Sequence, residues 1–317
     1  NYKSITRCRI CNGTNLTPYL DLGAIPLVNR YVEDENIRDP RYPLKVFLCR
    51  NCSLSQLDIV VDPKFLYSQY LYRSSISTTF KKHCSLFASG IVEQYNLGKN
   101  DLIVDVASND GCLIAEFKAN GTGYLGVEPA KNLARIANDS GLRTITRFFC
   151  VESARYILAN YGPARVITAT NVLAHVDDVH NFLNAVNILL DENGIFVLEV
   201  PYLVNFINKK EFDTVYHEHL SYFLLKPLSI LLDDHNLEIF DVQQFIIHGG
   251  TIRVYARKKE NKEGRVFERL EAIKWLMDLE EDLGLHDFPR YSQFSGDVEI
   301  IKHDLISTLT SLKDNNK

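Results

Sequence analysis

The stretch "DLIVDVASNDG" at residues 101–111 decides the fold. It opens as a short apolar, β-rich run and ends in small, turn-forming residues. The pattern returns in "GYLGVE" (123–128), "ARVITAT" (164–170) and "GIFVLEV" (194–200). Helical text separates these runs: "CLIAEFKAN", "PAKNLARIANDSG" and "VDDVHNFLNAVNILLDENG". Near-continuous apolar strands alternating with helices imply an α/β domain, a parallel sheet covered on both faces. Two later runs, "LEIFDVQQF" (237–245) and "TIRVYARKK" (251–259), lie too close together for a helical crossover. They are expected as an antiparallel pair at the sheet edge.

Ligands of such sheets bind beyond the carboxyl ends of the strands. The first strand ends in Asp105, Ala107, Asn109, Asp110 and Gly111, and the second in Glu128 and Pro129. A loop of small residues lets backbone amides approach a ligand, and the following helix points its positive end there. Glu128 is placed to accept hydrogen bonds from ribose hydroxyls. The GxGxxG signature of dinucleotide folds is absent, so a nucleoside cofactor fits better, and S-adenosylmethionine is the obvious one. The plain alternative is an ordinary strand–turn–helix.

The N-terminus reads "CRIC" (Cys8, Cys11) and later "CRNC" (Cys49, Cys52). A CxxC turn places two thiolates on one side of a knuckle, and two knuckles complete the tetrahedral shell that Zn²⁺ prefers. A redox dithiol would need only one motif beside a βαβ unit, and none surrounds either pair. Four protein ligands leave no open position, so the zinc is structural. The text between the pairs is longer than a simple ribbon needs and is expected to form a small lobe around the metal. Cys84, Cys112 and Cys150 read as isolated packing residues.

The whole chain sets bounds. Its 317 residues are 46% hydrophobic and 24% charged, values of a folded soluble protein. A net charge of -5 argues against nucleic acid as a partner. No apolar run approaches the roughly 18 residues of a membrane span. Paired CxxC motifs without an export signal suggest a cytoplasmic, reducing setting. Residue 1 is Asn, so a preceding segment is expected.

These segments together resemble the sugar C-methyltransferases that act at C-3 of nucleotide-linked 4-keto-6-deoxyhexoses. The likeness rests on the paired CxxC motifs with "LDLGAIPLVNRYV" between them and on "YSQYLYRSSIS" (67–77). It continues through "SNDG", "GVEPAKN", "NVLAHV" (171–176), "YHEHLSYF" (216–223) and "HGGTIRVYA" (248–256). The resemblance implies a zinc-binding domain over 1–66 and an S-adenosylmethionine-binding, Rossmann-like methyltransferase domain over 67–262. A helical segment over 263–317 should lead into a further α/β lobe that encloses a nucleotide sugar. Asn171 joins the cofactor set on the same ground. Ala107 stands where the family usually has glycine, which leaves the backbone there less freedom, and alanine can sit there if φ is negative.

Methylating a sugar carbon needs an acidified C–H bond, which a neighbouring ketone provides through an enolate. A base, a donor for the enolate oxygen and an in-line sulfonium methyl are required. Histidine titrates near neutrality, and the resemblance assigns the base to His219, with Glu218 and Tyr216 at the sugar. His217 is expected to point elsewhere and hold the loop. The bland alternative is a polar turn; a zinc clamp would require HExxH. The resemblance also places His175 and a tyrosine of "YLYRSS", Tyr70, in the site, against a helix-start cap and an aromatic hinge. Other readings are methyl transfer to a sugar oxygen or nitrogen, and a non-catalytic interaction protein with a decayed methyltransferase domain.

Overall fold

The computed structural model describes residues 2–29, 34, 36, 38–261 and 269–314. The first lobe runs through β1 (Tyr2–Ser4), β2 (Leu16–Ile25), β3 (Tyr42–Cys49), β4 (Ser55–Leu57) and β5 (Ile59–Val61). Alternate residues of β3 point inward, and Leu44, Val46 and Leu48 are sealed in the core. That period of two is what an antiparallel strand with one core face requires. Helix α1 (Pro63–Tyr67) starts at Asp62, whose carboxylate accepts from the Lys64 amide, with Pro63 in the first turn. A 3-10 turn at Ser74–Ile76 leads to α2 (Thr78–Gln94), capped by Ser77.

Strands and helices then alternate: β6 (Leu102–Val106), α3 (Cys112–Ala119), β7 (Gly123–Val127), α4 (Lys131–Asp139) and β8 (Thr144–Ile145). They continue as α5 (Val151–Tyr161), β9 (Ala164–Thr170), α6 (Val179–Leu189), β10 (Leu190–Pro201) and α7 (Leu203–Lys209). The last elements are β11 (Ser221–Tyr222), α8 (Leu225–Asp233), β12 (Leu237–Phe245), β13 (Thr251–Lys258), α9 (Leu270–Asp282) and α10 (Phe288–Asp314).

Among the described residues a seven-stranded sheet runs β12-β13-β10-β9-β6-β7-β8. Its last five strands are parallel, and β13 and β12 add antiparallel at one edge, as their short link dictates. Strand order reverses between β6 and β9, which opens a crevice at their carboxyl ends. Helix α2 is pinned to this sheet by a fully buried carboxylate. Glu199 takes Arg253 at 2.7 Å and His83 at 2.9 Å. A charge so deep is tolerable only with such partners.

A second sheet has the order β11-β4-β3-β2, so residues 221–222 complete the sheet of the first lobe. The boundary expected after residue 66 is therefore crossed by a strand from far along the chain. The boundary expected at 262 lies outside the described residues, as do Arg30, Tyr31 and Val32 of the quoted motif. Helices α9 and α10 fold back onto what precedes them. Buried Glu280 accepts from the Tyr202 hydroxyl at 2.9 Å and the Leu225 amide at 2.5 Å, while Tyr291 packs on Tyr19 of β2. Among the described residues no helix is long and apolar enough to cross a membrane.

Candidate active site

The two cysteine knuckles share one build. Cys8 donates its amide to the Gly13 carbonyl at 2.8 Å and accepts from Asn12 at 3.0 Å; Cys49 does the same with Leu54 and Ser53 at 2.8 and 2.9 Å. Asn12 and Ser53 adopt left-handed backbone at φ 57 and 67, which curls each turn around its thiols. Sulfurs of Cys8 and Cys52, and of Cys11 and Cys49, lie 3.5 Å apart, and all four fall within 4.8 Å of one another. Zn–S bonds of about 2.3 Å in a tetrahedron set sulfur separations of about 3.8 Å, so the donor set fits zinc. Hydrogen bonds from Cys52 and Cys8 pull the Cys49 thiol down, which favours a thiolate inside the group. Among the described residues no other cluster of candidate ligands forms. Cys84 is buried in the hydrophobic cluster beneath helix α2 and Cys112 packs against the same cluster, the packing role expected of them.

A cavity of about 980 Å³ opens at the carboxyl ends of β6, β7, β9 and β10. On its cofactor side the loop after β6 carries Ala107 at φ 56, Asn109 at φ 53 and Gly111 at φ 88. The negative φ at which Ala107 would sit easily is thus not met, because the chain must reverse sharply between strand and helix. A left-handed alanine costs about 1–2 kcal/mol, a conformation that Asn109 and Gly111 adopt more readily. The loop also needs Gly126 beside it: a Cβ there would lie 2.5 Å from Ser108 Oγ and 2.7 Å from Thr144 Oγ1.

Glu128 is buried, with Oε2 accepting from the Asn109 amide at 2.8 Å and Oε1 from the Ala130 amide at 2.7 Å. Burial raises its pKa while those amides hold it down, and each oxygen keeps further acceptor capacity. Asp105 accepts from the Thr168 hydroxyl at 2.6 Å, and burial pushes it up to about 7. Asp105, Ala107, Asn109, Glu128, Pro129 and Asn171 all line the cavity. Asp110 and Gly111 are not among its lining residues. Asp110 turns to the strap before α2, taking the Ser75 hydroxyl at 2.5 Å and Arg73 Nε at 3.4 Å. Ser108 Oγ and Asn171 Oδ1, on two residues that line the cavity, are buried with no hydrogen-bond partner among the described residues.

On the opposite wall stands "YHEHLSYF". His219 Nδ1 lies 2.9 Å from the Thr214 carbonyl, which can only accept, so the neutral ring carries its proton there. Nε2 is then the basic nitrogen, and it takes the Tyr216 hydroxyl at 2.8 Å. The His175 ring meets His219 edge-on, centroids 5.0 Å apart. Burial first, and His219 second, hold the His175 pKa well below the usual range, so it is a neutral ring. Glu218 faces sideways, taking Tyr70 at 2.7 Å and Asn29 at 3.1 Å, and lines a smaller adjoining cavity with Tyr70. Burial raises Glu218 as well as the phenols of Tyr70 and Tyr216, which stay protonated donors. His217 turns away, its Nε2 donating to the Pro43 carbonyl of β3 at 3.1 Å.

Sequence reasoning passed over Tyr67. Its hydroxyl lies 3.0 Å from His175 Nδ1 and 3.4 Å from the Glu218 carbonyl, joining both motifs. The only hint was its place in "YSQYLY", three residues before Tyr70.

Comparison with known proteins follows the same three-part order. A zinc binding domain model matches residues 8–67, a methyltransferase domain 82–242, and a C-methyltransferase C-terminal domain 246–317. The chain is 33% identical over 302 residues to C-methyltransferase NovU of Streptomyces niveus, covering 95% of this chain and 71% of that protein. The chain belongs to the C-methyltransferase family. Its C-terminal match begins in the turn between β12 and β13, so β13 lies within that match and within the central sheet. Among solved structures, magnesium protoporphyrin IX methyltransferase of Synechocystis PCC 6803 aligns with 14% identity, over 56% of this chain and 82% of that one, at a TM-score of 0.44. The PH0226 protein of Pyrococcus horikoshii OT3 aligns with 9% identity, over 62% and 96%, at 0.47.

Proposed function

We propose that this C-methyltransferase uses S-adenosylmethionine to methylate C-3 of a nucleotide-linked 4-keto-6-deoxyhexose, with His219 as the base. One observation carries the reading: the bond from His219 Nδ1 to the Thr214 carbonyl fixes Nε2 as an acceptor among neutral donors at the sheet's carboxyl edge. When bound, S-adenosylmethionine supplies the sulfonium methyl. His219 Nε2 takes the C-3 proton after the Tyr216 hydroxyl releases it. Tyr216, freed from that nitrogen, donates to the developing enolate oxygen, where a protonated phenol is worth more than in water. His175, held neutral, offers a second donor or acceptor without adding charge. Glu218 and Tyr70 orient the sugar through their shared hydrogen bond.

Methyl-labelled S-adenosylmethionine offered with a panel of nucleotide-linked 4-keto-6-deoxyhexoses should place label on C-3. Label on a sugar oxygen or nitrogen would remove the need for an enolate and sink the reading. The cofactor half is tested separately. Glu128 should receive ribose hydroxyls on its remaining lone pairs, and charge-assisted bonds contribute roughly 1.5–3 kcal/mol. Glu128→Ala is therefore expected to weaken S-adenosylmethionine binding tenfold or more by calorimetry; an unchanged affinity would mean that the cofactor sits elsewhere.

A further inference from the structure

The first knuckle encloses a residue that metal binding does not require. Arg9 lies between Cys8 and Cys11, its side chain only 2% exposed, and its bonds leave the knuckle in several directions. Its amide donates to Gln56 Oε1 at 2.9 Å. Nη1 donates to the Leu57 carbonyl at 2.7 Å and to the Leu220 carbonyl at 3.2 Å, and Nε to Asp177 Oδ1 at 3.2 Å. Leu220 directly follows His219, and Asp177 stands two residues beyond His175.

The two histidine segments also touch each other, for the Leu220 amide donates to the Ala174 carbonyl at 2.7 Å. Arg9 closes the third side of that triangle. The next knuckle residue reinforces it: the Ile10 carbonyl accepts from His180 Nε2 at 2.8 Å, on the helix that follows His175. A guanidinium is costly to bury, and an apolar side chain could fill the same knuckle. What the apolar residue could not do is hold two carbonyls and a carboxylate at once in the fixed plane of a guanidinium.

We propose that Arg9 is a positioning residue through which the metal knuckle fixes the segments carrying His219 and His175. Its catalytic consequence rests on the proposed roles of those histidines; the strut itself is measurable in the free protein. Arg9→Lys keeps the charge and loses the fork. The zinc-loaded variant should exchange its Leu220 amide about tenfold faster than wild type, with amides of β6 and β9 unchanged. Methyl transfer should fall about tenfold to a hundredfold at unchanged S-adenosylmethionine affinity, as a misplaced base would cause. Asp177→Ala, at a 24% exposed side chain outside the knuckle, removes the acceptor of Arg9 Nε, should repeat the faster exchange and carries the test if Arg9→Lys fails to fold. Wild-type protection of Leu220 in either zinc-loaded variant overturns the strut. Faster exchange with full turnover upholds the strut and counts against the histidine roles instead.

Discussion

A His219→Ala protein is expected to fold, to bind S-adenosylmethionine as the wild type does, and to lose about 10²–10⁴ of its methyl-transfer rate. The fold should survive because His219 is a half-buried cavity residue whose ring bonds the Thr214 carbonyl and the Tyr216 hydroxyl, both within its own loop. Losing such bonds costs about 1 kcal/mol each. Cofactor affinity should hold because the Glu128 side of the cavity is built by β6, β7 and β9. The chemistry should fail because no neighbour replaces Nε2. His175 has its Nδ1 against Tyr67, and burial disfavours the protonated ring it would have to become. Tyr70 and Tyr216 are phenols raised further by burial. In deuterated water, with S-adenosylhomocysteine holding the cofactor site, wild type should exchange the substrate's C-3 hydrogen and the variant should not. Glu218→Gln should keep part of that exchange if Glu218 orients and does not take the proton. Normal exchange and turnover in a folded His219→Ala protein would falsify the assignment and leave His175 or Tyr70 as the base to test.

What the sequence made legible was whatever is local. The strands Leu102–Val106 and Ala164–Thr170 announce themselves because both faces are largely buried and apolar residues run through them with little alternation. The knuckles announce themselves because each pair of thiolates comes from one turn. Strand β8 escaped notice because two residues carry no periodicity, and Ser221–Tyr222 because its partner, Ser55–Gln56, lies in another lobe. The φ of Ala107 was not legible for a physical reason: alanine sits easily only at negative φ, whereas the path from β6 into α3 demanded the left-handed turn. Asp110 looked like a ligand-facing acid in "SNDG", yet its side chain satisfies the strap at Arg73 and Ser75, a contact that spacing could not reveal. Tyr67 and Arg9 share that cause. Their value lies in bonds to residues far along the chain, and only the folded chain brings Leu220 to the first knuckle.

Stripping the metal should reach further than the lobe that holds it. The purified protein is expected to carry one zinc per chain, bound by Cys8, Cys11, Cys49 and Cys52. Structural zinc sites of this kind yield about 10–16 kcal/mol of apparent binding energy in isolated fingers, enough to decide whether a small lobe folds. Here Leu44, Val46, Leu48 and Leu57 give the lobe a core of its own, so part of that energy duplicates packing already present. The knuckles, however, hold Cys49 at the end of β3 and Leu54 just before β4, and β4 carries β11. Cys52→Ser, or exhaustive chelation, should therefore raise amide exchange through β3, β4 and β11 while β6, β7 and β9 stay protected. Turnover should fall with it, because β11 begins two residues after His219, whereas the Glu128 face should still bind S-adenosylmethionine. Metal analysis finding no zinc in folded protein would remove the site. Full protection of β11 after its removal would show that the metal holds its own knuckles and nothing beyond them.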